Sequence, residues 1–277
     1  MILIADSGST KTDWCVVEAG KQAQRITSKG INPYFQSEEE IATELQTALV
    51  PQLHTASFSA IYFYGSGCLP EKIAMMKQAL GNQLTAQTIE VHSDMVGAAR
   101  GLSGRNAGIV CILGTGSNSC YYDGEQIVSN VSPLGFILGD EGSGAVLGKL
   151  LVGDLLKNQL PEGLKEQFLK QFNLTPGQII ERVYRQPFPN RFLASLSPFC
   201  AQNIHVPAVR ELVLNSLKAF LTRNVMQYDY QHNKVHFIGS VAFYYKEILE
   251  EACWNTGMQL GTIAQSPMEG LIKYHTT

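Results

Sequence analysis

The strongest constraint in this chain is a plan that it uses twice. An apolar run, a small polar turn containing glycine and a β-rich run follow one another at residues 2–18, and the same order returns at residues 108–122. In the first copy a third strand at 23–28, a helix from the Ser37 capping box, a strand at 60–64, a helix opened by Pro70 and stopped by Gly81, a strand at 87–91 and a helix from Ser93 complete the series β-β-β-α-β-α-β-α. The second copy follows a linker at 103–107. It has strands at 108–113, 118–122 and 125–130, a helical insertion over 143–230, then strand 234–238, helix 241–255, strand 258–263 and helix 267–275. A repeat of this length is too long for a solenoid and implies two similar domains, 1–105 and 106–277. Parallel strands need crossover helices, which the pattern supplies, so the fold class is α/β.

Composition narrows the function classes. Only 16% of the 277 residues are charged and 45% are hydrophobic, against about 25% charged in an average domain, so the chain can bury a core. A net charge of −3 leaves no basic surplus for nucleic acid. No apolar run approaches the roughly 18–20 residues that span a membrane. The opening Met1-Ile2-Leu3-Ile4-Ala5-Asp6 lacks the basic start of a signal peptide. The six cysteines form no C-x-x-C pair and most lie in apolar runs. They read as small core hydrophobes in a reducing, cytoplasmic compartment rather than as metal ligands.

Chemistry concentrates where strands meet turns. In Asp6-Ser7-Gly8-Ser9-Thr10-Lys11, Gly8 permits a tight turn whose successive amides can cradle an anion. Ser9 and Thr10 add hydroxyls, Lys11 adds a positive charge, and Asp6 stands at the strand end where a divalent cation can be held through water. Gly114-Thr115-Gly116-Ser117-Asn118 occupies the equivalent point of the second copy. Either turn alone is an ordinary hairpin; two at matching positions suit a polyphosphate. Asp94 follows His92-Ser93 at a strand-to-helix junction, a setting that suits a general base. Glycines crowd Asp140 and Glu141 in the run from Gly135 to Ser143, and Gly239-Ser240 sit between a strand and a helix, where backbone can pass beside a flat ring. A Rossmann reading fails because a strand, not a helix, follows Gly116. A P-loop reading fails on glycine spacing and because Leu150 follows Lys149.

These motifs together resemble the sugar kinase, heat-shock-70 and actin superfamily. More narrowly, residues 114–118, 139–143 and Ser93-Asp94 resemble the N-acetylglucosamine kinase and BadF/BadG/BcrA/BcrD-type ATPase family, over nearly the whole chain. The resemblance implies two ribonuclease-H-like domains around an interdomain cleft that takes ATP and magnesium. It implies Thr10 and Thr115 at the phosphates with Gly8, Ser9, Lys11, Gly114 and Gly116 around them, and Asp6 near the metal. Gly239 and Ser240 would flank the adenosine, and Asn32, Ser117, Asn118, Gly135 and Asp140 would bind the sugar. Asp94 would be the catalytic base. Near the C-terminus, Gly270 matches a glycine of the family's adenosine pocket.

The expectation is therefore a sugar kinase that phosphorylates an N-acetylated amino sugar, N-acetylglucosamine first, with N-acetylmuramic acid or glucosamine as relatives. The resemblance also implies a homodimer that takes a small-molecule sugar, with neither nucleic acid nor membrane as partner on the composition above. Two other classes stay open on sequence: an ATPase activator of an electron-transfer enzyme, and a sugar sensor that kept the fold without the activity.

Overall fold

A computed structural model describes every residue except Gly20 and Ala56. The chain divides into two compact units, residues 1–107 with 122–127 and 266–277, and residues 108–121 with 128–265.

The first unit holds β1 (Ile2–Ser7), β2 (Lys11–Glu18), β3 (Lys21–Lys29), α1 (Glu38–Glu44), β4 (Ser57–Gly65), α2 (Pro70–Gln83), β5 (Thr85–Ser93) and α3 (Asp94–Ser103). Its sheet runs β3-β2-β1-β4-β5. β1 is antiparallel to β2 and parallel to β4, which is parallel to β5. Short turns suffice for the antiparallel strands, while α1 and α2 serve the crossovers. The expected capping box is present: Ser37 accepts from the Glu40 amide while Glu40 accepts from the Ser37 amide. α2 runs on through Gly81, where a side chain would have had room. One glycine at a helix end costs only about 1 kcal/mol, too little to stop it.

The second unit holds β6 (Gly108–Leu113), β7 (Ser117–Tyr122), β8 (Ile127–Val131), the short α4 (Gly135–Leu138) and α5 (Gly144–Leu156). The insertion continues as α6 (Leu164–Phe172), α7 (Pro176–Tyr184), α8 (Pro189–Leu196), α9 (Pro198–Gln202) and α10 (Pro207–Arg223). Then come β9 (Val235–Ile238), α11 (Ser240–Tyr244), α12 (Lys246–Asn255), β10 (Leu260–Ala264) and α13 (Met268–Thr276). The sheet order is β10-β9-β6-β7-β8. Read from the other edge, it repeats the first sheet strand for strand, so the duplication inferred from sequence is a duplication of topology. The helix expected over 241–255 is two helices, broken at Tyr245, whose hydroxyl donates to the Ser197 carbonyl at 2.9 Å.

The last helix departs from the sequence division at 105/106. α13 packs in the first unit, where Met268 and Leu271 are fully buried with Ile4, Cys15, Val17 and Tyr64. Its contact with α3 is backbone on backbone: a side chain on Gly270 would lie 1.7 Å from the Gly101 carbonyl oxygen. The 122–127 turn also packs there, with a Cβ on Gly124 falling 2.6 Å from the Arg105 carbonyl oxygen.

Candidate active site

In the first unit, three parallel strands end on one line. Ser7, Gly65 and Ser93 are register partners across β1, β4 and β5. The residues at this sheet end are Asp6, Ser66 and Asp94. Asp6 faces Asp13 across the β1–β2 pair. Burial, then the Asp13 and Asp94 carboxylates, push Asp6 up to about 7. Asp94 is the first residue of α3, behind the Ser93 cap, and its Oδ1 accepts from the Met95 amide at 2.9 Å. Burial raises its pKa, against the pull of that amide and of the Ser66 hydroxyl. Both acids keep some exposed surface but lie deep among protein atoms, so loss of hydration outweighs the donors and cations around them.

The turn after β1 is held by its acceptors. The Gly8 amide donates to the Lys11 carbonyl at 3.0 Å, and the Gly30 amide donates to the Thr10 carbonyl at 3.1 Å. Gly30 must be glycine, since a Cβ there would lie 2.5 Å from the Gly8 carbonyl oxygen. Ser7 and Thr12 hydroxyls join at 2.6 Å and both accept from the Ile31 amide. This leaves Ser9 and Thr10 at the partly exposed rim. Lys11 pairs with Asp13 at 2.7 Å, its exposed side chain folded back along the strand. Asn32 is buried beyond β3, and its Oδ1 accepts from the Tyr34 amide at 3.0 Å.

The second unit repeats the device. The Gly114 and Thr115 carbonyls accept from the Gly144 and Ala145 amides at 2.8 and 3.1 Å. An anion-binding turn needs its carbonyls occupied elsewhere, and the N-terminus of α5 occupies them here. Ile112 and Ile238 are register partners on β6 and β9, so Gly239 emerges beside this turn. Its φ is +112°, and a Cβ would lie 2.4 Å from the Leu113 carbonyl oxygen. Asp140 also comes to the turn: a Cβ on Gly116 would lie 3.0 Å from its Oδ2. Burial pushes Asp140 up to about 6, against a hydrogen bond from the Ser117 amide.

The structure separates neighbours that sequence could not. Glu141 is committed to an ion pair with Arg223 and accepts from Asn224, which leaves Asp140 as the acid at the turn. Asn118 is partly committed, its Oδ1 accepting from Ser119 and Asn130, both at 2.9 Å. Ser117 is buried, Ser240 is exposed, and Gly135 at φ +74° faces open space. Gly270, expected at the adenosine, is used in helix packing. Sequence reasoning passes over Ser66. Its signal is Gly65-Ser66-Gly67 directly after an apolar strand, the same pattern as the turns at Gly8 and Gly114. All six cysteines are buried and unpaired.

No family model and no curated protein matches the chain. Among solved structures, a Porphyromonas gingivalis protein provisionally named N-acetylglucosamine kinase is 56% identical over 100% of this chain and 99% of its own, with a TM-score of 0.98. The chain belongs to the N-acetylglucosamine kinase family. A Chromobacterium violaceum protein with the same provisional name aligns over 99% and 98% at 17% identity and a TM-score of 0.76. A Streptomyces griseus ROK-family glucokinase, solved with glucose and AMPPNP, aligns over 98% and 97% at 13% identity and a TM-score of 0.58. These two share the fold, a two-domain α/β architecture.

Proposed function

We propose that this family member is an ATP-dependent sugar kinase that phosphorylates an N-acetylated amino sugar, most directly the 6-hydroxyl of N-acetylglucosamine, with Asp94 as general base. The observation that carries this reading is the setting of Asp94, a carboxylate raised by burial at the end of parallel strands and held by donors at a helix start. A base needs a pKa lifted toward the working pH, and burial supplies that lift. The 56% identity to the Porphyromonas gingivalis protein supports the substrate class.

The residues fit the nucleotide and its metal. The two turns have their carbonyls anchored, and open space surrounds the Gly114 Cβ position. Among the described residues no three ligating side chains cluster as a protein metal site. One or two carboxylates, here Asp6, with phosphate oxygens and water are the ligand set that magnesium uses with nucleotides. When bound, magnesium would neutralise charge on the phosphates, and Asp6 would hold it there.

The chain's own work is positioning and proton transfer. Asp94 accepts the proton of the sugar hydroxyl as that oxygen attacks the γ-phosphorus of ATP and the bond to the β-phosphate oxygen breaks, releasing ADP. Thr10 and Thr115, with the amides of their turns, donate to the phosphates, and Lys11 reaches them by releasing Asp13. Gly239 lets the backbone pass beside the adenosine, with Ser240 next to it. Asp140 and Asn32 hold the sugar, with Ser117, Gly135 and the free amide of Asn118.

Asp94→Asn tests the assignment. Transfer should fall at least about a hundred-fold, the scale of a lost general base, while ATP binding by calorimetry stays close to wild type. Near-normal turnover would remove Asp94 as base.

A further inference from the structure

One tight loop of the first unit lies beside both Asn32 and Asp94. After β4 the chain turns at Gly65-Ser66-Gly67, closed by the Cys68 amide on the Gly65 carbonyl at 3.3 Å and the Leu69 amide on the Gly67 carbonyl at 2.8 Å. The Ser66 amide donates to the Ser7 carbonyl at 2.9 Å and pins the loop to the end of β1. Its start is closely packed: a Cβ on Gly65 would lie 2.4 Å from the Phe63 ring and 3.1 Å from the Cys68 sulfur. Gly67 has φ +76°, and a Cβ there would lie 1.9 Å from Asn32 Oδ1. The loop backbone therefore lies directly against the Asn32 amide. On the other side, Gly65 and Ser93 are register partners, so Ser66 and Asp94 leave neighbouring strand ends side by side.

We propose that the Ser66–Gly67 turn is the positioning element of this half of the site, with Ser66 orienting the Asp94 carboxylate and the Gly67 backbone holding the Asn32 amide. The inference rests on the reading of Asp94 as base and Asn32 as sugar ligand. A carboxylate turns easily about its last torsion. The Met95 amide fixes one oxygen; the Ser66 hydroxyl, arriving from another element, would fix the plane. The free lone pair then points in one direction, which proton abstraction requires. Because the loop is pinned to β1 and packed on β4, it transmits the rigidity of the sheet to the base.

The test is steady-state kinetics on the full chain with magnesium-ATP and N-acetylglucosamine. Ser66→Ala should lower kcat about ten-fold, the scale of one lost charge-assisted hydrogen bond, with both KM values and the melting temperature close to wild type. Ser66→Thr, which keeps the hydroxyl, should restore most of kcat. Gly67→Ala should instead raise the sugar KM and leave the ATP KM unchanged. A wild-type kcat in Ser66→Ala, or equal losses in Ser66→Ala and Ser66→Thr, would overturn the role of Ser66. An unchanged sugar KM in Gly67→Ala would overturn that of the turn. The Asp94→Asn control separates the two readings: if it turns over normally, the base assignment falls and this inference with it; if it is inactive while Ser66→Ala is normal, this inference fails alone.

Discussion

Replacing Gly270 by alanine puts one methyl group against backbone that cannot yield. The new Cβ would lie 1.7 Å from the Gly101 carbonyl oxygen, 2.6 Å from its carbon and 2.9 Å from its Cα. Restoring van der Waals distance requires α13 to retreat from α3 by about 1.5 Å. That retreat breaks the Tyr64–His275 hydrogen bond of 2.7 Å and the Tyr62–His275 stack at 3.6 Å. It also loosens Met268 and Leu271, both fully buried. Overpacking of this kind costs about 1–3 kcal/mol, and the better helix propensity of alanine returns at most about 1 kcal/mol. The net expectation is a loss of about 1 kcal/mol or somewhat more, or a melting temperature lower by roughly 2–4 °C or more. Thermal unfolding followed by circular dichroism reads this directly. ATP KM, measured on the folded enzyme, should stay at the wild-type value, because Gly270 serves packing. An unchanged melting temperature with a raised ATP KM would refute the packing role and return Gly270 to the adenosine pocket.

Two further outcomes follow from the acids. Asp6 binds its proton up to about pH 7 in the folded chain but releases it near the ordinary 3.8 when unfolded. Across that window the folded state holds more protons, so unfolding free energy falls as pH rises. The ligand-free protein should melt higher at pH 5 than at pH 8, and Asp6→Asn should flatten this slope while abolishing transfer; a slope unchanged by the substitution would contradict the assignment. Asp140→Asn should raise the sugar KM about ten-fold or more, as expected when a charged acceptor for a buried hydroxyl is lost. Glu141→Gln should cost stability through Arg223 and leave the sugar KM alone, and equal effects on that KM would erase the distinction drawn between the two acids.

Much of the fold was legible because its central strands are apolar runs and its turns carry glycine. Residues 2–5 and 108–113 announce buried strands, and Gly8 and Gly114 mark the turns after them. The repeated order then fixes the topology through the crossover rule. What stayed hidden depends on contacts remote in sequence. Nothing local assigns α13 to the first unit; the fit of Gly270 on Gly101, the burial of Met268 and Leu271 and the His275 contacts do. The commitments of Lys11 to Asp13, Glu141 to Arg223 and Asn118 to Asn130 are likewise tertiary. They decide which polar residue in each motif is left for a ligand. Ser66 lay in plain view, but its value comes from the strand register that sets it beside Asp94.

Every role assigned above requires sugar-dependent phosphoryl transfer by this chain. The most direct measurement is ADP release with magnesium-ATP against N-acetylglucosamine, N-acetylmuramic acid, N-acetylmannosamine, glucosamine and glucose, with Asp94→Asn alongside. Release that depends on an N-acetylated amino sugar, strongest with N-acetylglucosamine and lost in Asp94→Asn, is the expected result. ATP hydrolysis indifferent to every sugar, or no turnover with any of them, would contradict it.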